Sequence, residues 1–320
     1  MNLPILYIVI PCYNEQEVLP HTAPLFYSEL NCLIQKEKIS KDSRILFVDD
    51  GSKDLTWKII SDLCEGNSSF DGISLSRNHG HQNALCAGIM ESKDRCDIII
   101  TADCDGQDDI NAMEAMINEY LSGSDVVYGV RKSRKTDSLA KRTSAGFFYR
   151  FLKLMGIETV YNHADYRLIT SAVANALSKF TEVNLYLRGI IPLVGFKSTV
   201  VEYERKERKN GRSHYSINRM ISLALDAVTG FSIRPLRIIS TMGFLVSFLS
   251  IVGIIWILTQ YFCGNTVSGW ASTLCIVCFM SGVQLVSLGV VGEYVGKIYM
   301  EVKGRPRYII AKKIRNSGHK

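Results

Sequence analysis

The most acidic stretch of the chain follows directly after an apolar run typical of a buried strand. Residues 98–100 are all Ile, and Thr101-Ala-Asp-Cys-Asp-Gly-Gln-Asp-Asp109 comes next, with four carboxylates in seven residues. Like charges this close repel one another, and each costs free energy to desolvate. One explanation is a solvated loop that caps the next helix, because Asp is favoured at helix N-caps. The other is a divalent cation that offsets the repulsion.

Asp103 and Asp105 have a spacing that suits a metal–diphosphate site. Two carboxylates at positions i and i+2 of an extended loop can face one ligand, and their hard oxygens suit Mg²⁺ or Mn²⁺. Mg²⁺ typically uses one or two carboxylates together with substrate phosphates. An isolated Asp-x-Asp pair often occurs by chance, so the position of this pair after a buried strand carries the prediction.

Short apolar runs alternate with helix-like segments over the first 130 residues. The runs are residues 6–10, 45–48, 98–100 and 126–130, with a weaker run at 72–75. This alternation predicts an α/β fold with a mostly parallel sheet and helices on both faces. Ligands bind at the carboxyl ends of the strands in such sheets. The polar residues that follow three of these runs (11–15, 49–52 and 103–105) are therefore expected at one sheet edge.

The pair Asp49 and Asp50 allows two interpretations. A carboxylate there can accept hydrogen bonds from a nucleobase N–H or a ribose hydroxyl. The surrounding residues 49–54, Asp-Asp-Gly-Ser-Lys-Asp, are equally typical of a turn followed by a helix cap.

The C-terminal part of the chain contains a long uncharged span, residues 238–292. Turn-forming residues 264–269 divide it into two arms, 238–262 and 270–291, each long enough to cross a bilayer core. A buried helical hairpin is the alternative. Basic residues flank the span on both sides and the turn is uncharged, so the positive-inside rule predicts that both chain ends and the N-terminal domain are cytoplasmic. Residues 138–155 and 216–231 mix apolar and basic side chains, as expected of interfacial amphipathic helices or of core-facing ones.

Composition narrows the function further. The formal net charge of +6 is mild and does not indicate nucleic acid as a partner. The chain lacks the Gly-rich signatures of dinucleotide-binding and P-loop proteins. Its nine unpatterned cysteines fit a reducing compartment.

Four ordered motifs carry a resemblance to a known family. They are Val9-Ile-Pro-Cys-Tyr-Asn-Glu15, Val48-Asp-Asp-Gly-Ser-Lys-Asp54, Ser76-Arg-Asn-His-Gly80 and Asp103-Cys-Asp-Gly-Gln-Asp108. In this order they resemble the family 2 glycosyltransferases, which have a GT-A fold. Further matches, which include Asp165-Tyr-Arg-Leu168, Leu187-Arg-Gly189 and the two apolar arms, extend over nearly the whole chain. They resemble the polyprenyl-phosphate branch, which contains dolichol-phosphate mannose synthase and, more similar still, bacterial bactoprenol (undecaprenyl-phosphate) glucosyltransferases.

The resemblance implies roles for individual residues. Those implied to bind the nucleotide-sugar are Pro11, Tyr13, Glu15, Asp49, Asp50, Arg77, Asp103, Cys104 and Gln107. Those implied to hold Mg²⁺ or Mn²⁺ are Asp103, Asp105 and Gln107. Those implied to bind the acceptor phosphate are Arg131, Arg167, Arg205, Arg208 and Ser213. Asp105, Asp165 and Arg208 are the expected catalytic residues, with Asp165 either a base or a group that orients the acceptor.

The predicted organisation has five parts. They are a nucleotide-sugar-binding core (1–130), an acceptor-side part of the catalytic domain (131–213), juxtamembrane helices (214–237), two transmembrane helices (238–292) and a cytoplasmic basic tail (293–320). The resemblance implies a multi-pass protein of the bacterial inner membrane that transfers a hexose from a UDP-sugar to undecaprenyl phosphate, with inversion. UDP-glucose is the first expectation for the donor, and UDP-N-acetylglucosamine and UDP-galactose are the alternatives. The product would serve surface glycan modification, such as that of O-antigen or the cell wall.

Other functions and partners follow from the same features. The alternative from another class is a non-catalytic membrane scaffold that binds a nucleotide-sugar. Such a scaffold would tolerate the loss of Asp103 or Asp105, so the presence of both residues favours an enzyme. A processive polysaccharide synthase is disfavoured because the chain lacks its Gln-x-x-Arg-Trp motif. Self-association through the apolar arms, a flippase and a downstream membrane glycosyltransferase are the expected partners.

Overall fold

The computed structural model describes residues 3–132, 163–182, 187–204, 229, 232–263 and 269–316. The chain divides into two compact units. The first contains Met1–Tyr149, Glu158–His214 and Arg305–Lys320, and the second contains Arg150–Ile157 and Tyr215–Gly304.

The first unit is built on a sheet that has eight strands among the described residues. The strands are β1 (Leu6–Cys12), β2 (Arg44–Asp49), β3 (Phe70–Leu75), β4 (Ile98–Thr101), β5 (Val126–Arg131), β6 (His163–Thr170), β7 (Ser198–Tyr203) and β8 (Ile310–Ile314). Their order across the sheet is β7-β5-β6-β4-β1-β2-β3-β8. Only β6 and β8 run antiparallel to their neighbours. The prediction of a mostly parallel sheet is therefore confirmed, and the weak apolar run at 72–75 is part of β3.

Helices surround this sheet and follow its strands in the predicted alternation. They are α1 (Leu19–Gln35), α2 (Thr56–Gly66), α3 (His81–Ser92), α4 (Ala112–Leu121), α5 (Ser171–Leu177) and α6 (Leu187–Leu193). Every residue of β1 to β4 is buried. Parallel strands covered on both faces need apolar side chains on both faces, which explains the continuous apolar runs in the sequence.

The edge strand β8 lies within residues 293–320, for which the sequence predicts only a cytoplasmic basic tail. It pairs with β3, with Gly72 opposite Ile314 and Ser74 opposite Lys312. Beyond the strand, the side-chain amide of Asn316 donates hydrogen bonds to backbone carbonyls at the end of α2 and in β3. Residues from the far end of the chain thus complete the sheet of the first unit.

The second unit contains two long helices, α7 (Arg234–Phe262) and α8 (Trp270–Val302). By length and composition, both are apolar enough to cross a membrane. The hydroxyl of Tyr294 on α8 donates a hydrogen bond to the carbonyl of Ser232, just before α7. The predicted arms 238–262 and 270–291 lie within these helices. The predicted amphipathic segment 138–155 lies outside the described residues, as does almost all of the segment 216–231.

Gly88 allows α3 to lie close against the sheet. A Cβ atom there would be 2.3 Å from Cγ1 of Val9 and 2.9 Å from Cγ2 of Val48. We expect Gly88→Ala to lower the free energy of unfolding by about 1–3 kcal/mol, because the added methyl group would overlap the side chains of Val9 and Val48 in a filled core. Gly66→Ala is the matched control, since a Cβ at this helix position meets no atom within 4 Å. The thermal unfolding midpoints of the two purified variants test this, and equal midpoints would contradict it.

Glu91 on α3 holds the C-terminal strand by charge. Its carboxylate lies 2.7 Å from Nζ of Lys313 and also pairs with Arg315. Burial alone would raise the pKa of Glu91, but the hydrogen bonds and charges of these two cations outweigh it and lower the pKa. A lowered folded-state pKa stabilises the fold above the unfolded value of about 4.3, and this contribution is lost as the pH falls through the folded pKa.

We therefore expect Glu91→Gln to be less stable than the wild type at pH 7, with a difference that shrinks as the pH falls below about 4. Glu65→Gln, which neutralises an exposed carboxylate at the end of α2, is the control. Unfolding midpoints measured from pH 7 to pH 3.5 provide the test. A difference that is constant over this range would contradict the prediction.

Candidate active site

Asp165 lies at the sheet edge where the parallel strands end, although its own strand runs the other way. Because β6 is antiparallel to β4 and β5, its first residues lie beside the carboxyl ends of both, and Arg167 is opposite both Thr101 and Tyr128. The hydroxyl of Thr101 donates a hydrogen bond to the backbone carbonyl of Asp165. The topology thus brings Asp165 and Arg167 to the edge that carries the acidic stretch.

The carboxylate of Asp165 is surrounded by donors from three elements. Arg188, in α6, donates from Nη2 at 2.9 Å and from Nε at 3.1 Å. Gln82, in α3, donates from Nε2 at 3.1 Å, and the imidazole Nε2 of His81 lies 3.4 Å away. Arg167 pairs with the same carboxylate and is only 1% exposed. These contacts fix the position of the carboxylate in the site.

These donors also determine the protonation state of Asp165. Burial would raise its pKa, but the hydrogen bonds of His81 and Arg188 and the charges of Arg167 and Arg188 hold the pKa well below its usual value. A carboxylate with a low pKa is a weak proton acceptor. The geometry therefore favours an orienting role over a role as general base.

His81 lies between Asp103, a predicted metal ligand, and Asp165, the predicted base or acceptor-orienting residue. Its Nε2 is 3.6 Å from Oδ1 of Asp103 and 3.4 Å from Oδ2 of Asp165. Burial raises the pKa of Asp103 to about 6, together with the negative charges of Asp108, Asp165 and Asp105, although His81 opposes this rise. The acidic stretch therefore has an excess of negative charge that a cation would relieve.

The capping explanation does not describe the start of α4, because its N-cap residue is Asn111 and no side chain makes a cap hydrogen bond there. Oδ1 of Asp109 accepts hydrogen bonds from Nδ2 of Asn111 at 3.1 Å and from its backbone N–H at 3.3 Å, just before α4. Asp105 instead accepts the backbone N–H of Gln107 at 3.0 Å, across a turn in which Gly106 has a φ of +63°. Asp103 and Asp105 therefore belong to a loop at the sheet edge and do not cap the next helix.

Asp108 anchors the strands beside this loop. Its Oδ1 accepts a hydrogen bond of 2.7 Å from the hydroxyl of Tyr203 and lies 3.6 Å from Nη2 of Arg131. The ring of Tyr203 meets that of Tyr166 edge to face, with centroids 5.2 Å apart. Arg131, predicted to bind phosphate, thus lies at the acidic loop and pairs with protein groups there.

Asp49 and Asp50 organise turns in the structure. Asp49 accepts the backbone N–H of Ser52 at 3.0 Å and the hydroxyl of Ser74 at 2.7 Å. Asp50 accepts the backbone N–H groups of His79 at 2.7 Å and of Gly80 at 2.9 Å. The turn interpretation describes these contacts, and binding to a nucleoside remains a prediction for both residues.

The other predicted nucleotide-binding residues lie at strand ends or in the loops that follow the strands. The loop after β1 joins the loop after β2 through hydrogen bonds from the Asn14 backbone to the Ser52 hydroxyl and from the Glu15 backbone to the Thr56 hydroxyl. Tyr13 is 41% exposed and is available to stack on a ligand. The remaining predicted nucleotide-binding residues differ in exposure and position. Pro11 lies at the end of β1 opposite Val48, Arg77 is exposed, and the side chains of Cys104 and Gln107 are buried.

Three implied residues, Arg205, Arg208 and Ser213, lie outside the described residues. Three side chains that the structure brings to Asp165 have no role predicted from the sequence, namely His81, Gln82 and Arg188. Arg188 belonged to a matched motif, Leu187-Arg-Gly189, and that was the only available signal. His81 and Gln82 follow the matched residues 76–80, but their spacing does not reveal Asp165 as a neighbour.

The donor set of the acidic loop fits a cation that substrate oxygens help to bind. Within the described parts of the chain, no group of three or more His, Cys, Asp and Glu side chains could hold a metal ion by itself. Asp103 and Asp105 supply two hard carboxylates on one loop. Mg²⁺ commonly uses one or two carboxylates and takes its remaining ligands from phosphates and water.

With the fold and the site described, comparison with known proteins defines the class. Residues 7–177 match the family described as Glycosyl transferase family 2. The chain belongs to this family and is a glycosyltransferase, with the GT-A type of sheet that the resemblance implied.

Individual relatives match almost the full length. The chain is 45% identical over 307 residues to the glycosyltransferase YkoT of Bacillus subtilis (strain 168), with 96% of this chain and 91% of the relative covered. It is 36% identical over 312 residues to the bactoprenol glucosyl transferase of Shigella phage SfII, with 97% and 98% covered. A mannosyltransferase from Pyrobaculum calidifontis, solved with GDP-Man and Mn²⁺, has a TM-score of 0.45 at 13% identity, with 92% and 88% covered.

Arg188 provides a direct test of the cluster around Asp165. We expect Arg188→Ala to lower kcat/KM for glycosyl transfer by about tenfold to a hundredfold, because two charge-assisted hydrogen bonds are lost. Arg188→Lys should be intermediate, since a lysine keeps the charge but not the planar fork. Lys179→Ala, which removes an exposed cation, is the control. Full activity of Arg188→Ala, with an unchanged unfolding midpoint, would rule out this role.

Proposed function

We propose that this glycosyltransferase transfers a hexose from a UDP-sugar, first of all UDP-glucose, to undecaprenyl phosphate at the cytoplasmic face of the membrane. One observation carries the proposal: an acidic loop and a cationic cluster around Asp165 lie next to each other at one sheet edge. The name of the phage SfII relative and the two long apolar helices support the lipid acceptor.

The acidic loop is the proposed donor side. Asp103 and Asp105, with Gln107 beside them, would hold Mg²⁺ or Mn²⁺ against the diphosphate of the donor. Burial and the negative charges of neighbouring carboxylates raise the pKa of Asp103, and a bound cation would offset both effects, which supports this assignment. A bound divalent ion would stabilise the charge that develops on the leaving diphosphate. Tyr13 and Asp50 are the proposed contacts of the nucleoside.

The cationic cluster is the proposed acceptor side. Arg167, Arg188 and His81 place positive charge or N–H donors next to Asp165, where a phosphate monoester could bind. A phosphate oxygen of the acceptor attacks the anomeric carbon, and the bond from that carbon to the diphosphate oxygen breaks. The bonding electrons leave with UDP, and the anomeric configuration is inverted.

This reaction does not need a strong general base. The second pKa of a phosphate monoester is about 6, so the acceptor is already largely a dianion at neutral pH. Asp165 is itself held ionised by its donors, with a low pKa. We therefore assign Asp165 to the orientation of the cationic cluster and of the acceptor, not to proton removal.

The membrane location follows from the acceptor. A polyprenyl chain stays in the bilayer because the transfer of each buried CH₂ into water costs about 0.8 kcal/mol. Helices α7 and α8 would hold the enzyme at this surface as two membrane spans. We propose that both chain ends are cytoplasmic in a bacterial inner membrane, because basic residues flank the uncharged span on both sides. A flippase and a downstream glycosyltransferase would use the product for surface glycan modification.

A transfer assay tests donor, acceptor and metal together. Purified protein in detergent is incubated with undecaprenyl phosphate, Mg²⁺ or Mn²⁺, and radiolabelled UDP-glucose, UDP-galactose or UDP-N-acetylglucosamine in separate reactions. We expect label to enter the lipid phase with UDP-glucose and EDTA to abolish the transfer. Asp105→Asn should lower the rate at least about a hundredfold, because a cation ligand is lost.

The control for Asp105→Asn is Asp109→Asn. It removes a carboxylate charge from the same stretch, at a side chain that contacts Asn111, and should stay within about threefold of the wild-type rate. Transfer from one of the other two donors would replace UDP-glucose in the proposal. Equal rates for Asp105→Asn and wild type would refute the metal site, and absence of transfer to the lipid from all three donors would refute the proposed reaction.

A further inference from the structure

The C-terminal residues 305–316 do more than add an edge strand. Before β8 begins, Arg307 donates a hydrogen bond from Nη2 to the backbone carbonyl of Phe180, and its Nη1 lies 3.7 Å from Sγ of Cys86 on α3. The carbonyl of Ile309 accepts the backbone N–H of Ser76 at 2.8 Å. The segment thus contacts the helix α3 and the loop that leads into it.

That loop, residues 76–80, is held from two sides. On one side Asp50 accepts the backbone N–H groups of His79 and Gly80 at 2.7 and 2.9 Å. On the other side the backbone carbonyl of Ile309, two residues after Arg307, accepts the backbone N–H of Ser76. Gly80 has a φ of +90°, a left-handed conformation that favours glycine, so this last loop residue is specialised for the turn into α3.

The first two residues of α3 reach the candidate active site. His81 and Gln82 follow Gly80 directly and contact the carboxylate of Asp165 at 3.4 and 3.1 Å. Gln82 also accepts the backbone N–H of Leu187 at 3.2 Å, next to Arg188. A shift of the 76–80 loop would therefore move two groups that touch Asp165 and one that holds the start of α6.

We propose that residues 305–316 are a positioning element of the active site, with Arg307 as its main positioning residue. The segment fixes the 76–80 loop and the start of α3, and thereby the donors that surround Asp165. The catalytic unit is accordingly incomplete without residues that follow α8 in the chain. In the sequence only Lys303 and Gly304 separate the end of α8 from this segment.

Arg307→Gln and Lys312→Gln form a matched pair for the test. Both replace a cation of the same segment by a neutral polar side chain. Lys312 is exposed in β8, whereas Arg307 is partly buried against Phe180 and Cys86. Hydrogen–deuterium exchange of the full chain in detergent requires no substrate, so this readout does not depend on the donor and acceptor that we propose.

We expect the peptide that covers residues 76–83 to exchange about tenfold faster in Arg307→Gln, because its support is lost. Exchange in β1 and β2 should be unchanged. With whichever donor the wild type uses, kcat/KM should fall about tenfold. Lys312→Gln should match the wild type in both measurements, and Arg307→Lys should restore part of both, since a lysine can still donate to the Phe180 carbonyl.

Two results would overturn the proposal. One is unchanged exchange of residues 76–83 and unchanged kcat/KM in Arg307→Gln, which would limit the segment to closing the sheet edge. The other is a uniform rise in exchange across all strands together with a lower unfolding midpoint, which would show a general loss of stability in place of a local effect on the site.

Discussion

The buried carboxylate of Asp165 is the group on which the candidate site depends. It receives two guanidinium groups, an imidazole and an amide from β6, α3 and α6, and so joins elements that are far apart in the chain. Its loss would leave the charge of Arg167, which is 1% exposed, beside that of Arg188 with the compensating anion removed. Breaking a buried ion pair in this way is strongly destabilising.

Around this carboxylate the negative and positive groups of the site are separated. This separation suits the proposed transfer of a sugar from an anionic nucleotide donor to an anionic phosphate acceptor. The acidic loop carries four carboxylates in seven residues, and burial together with the charges of neighbouring carboxylates raises the pKa of Asp103. Next to it the cluster of Arg167, Arg188 and His81 carries cationic or N–H donor groups. A donor diphosphate with its metal and an acceptor phosphate would repel each other in free solution. The proposed arrangement gives each of them an oppositely charged partner at one sheet edge.

Much of the fold was predictable because its main signal is local. Continuous apolar runs predicted β1, β2, β4 and β5, and the rule that ligands bind at the carboxyl ends of parallel strands predicted where the acidic loop would lie. The same local logic failed for β8. Ala311, Lys312 and Lys313 are exposed on this edge strand, so they lack the apolar pattern that burial on two faces imposes.

The sequence by itself therefore determined the parallel core, the edge that carries the polar loops, the two apolar helices and the family. Only the tertiary structure decided which donors surround Asp165 and what supports them. Gln82 and Asp165 are 83 residues apart, and Arg307 and Cys86 are 221 apart. Such contacts depend on the order and direction of strands across the whole sheet. The spacing of residues along the chain does not reveal that order. The continuous apolar run of each strand, by contrast, directly indicates that the strand is buried.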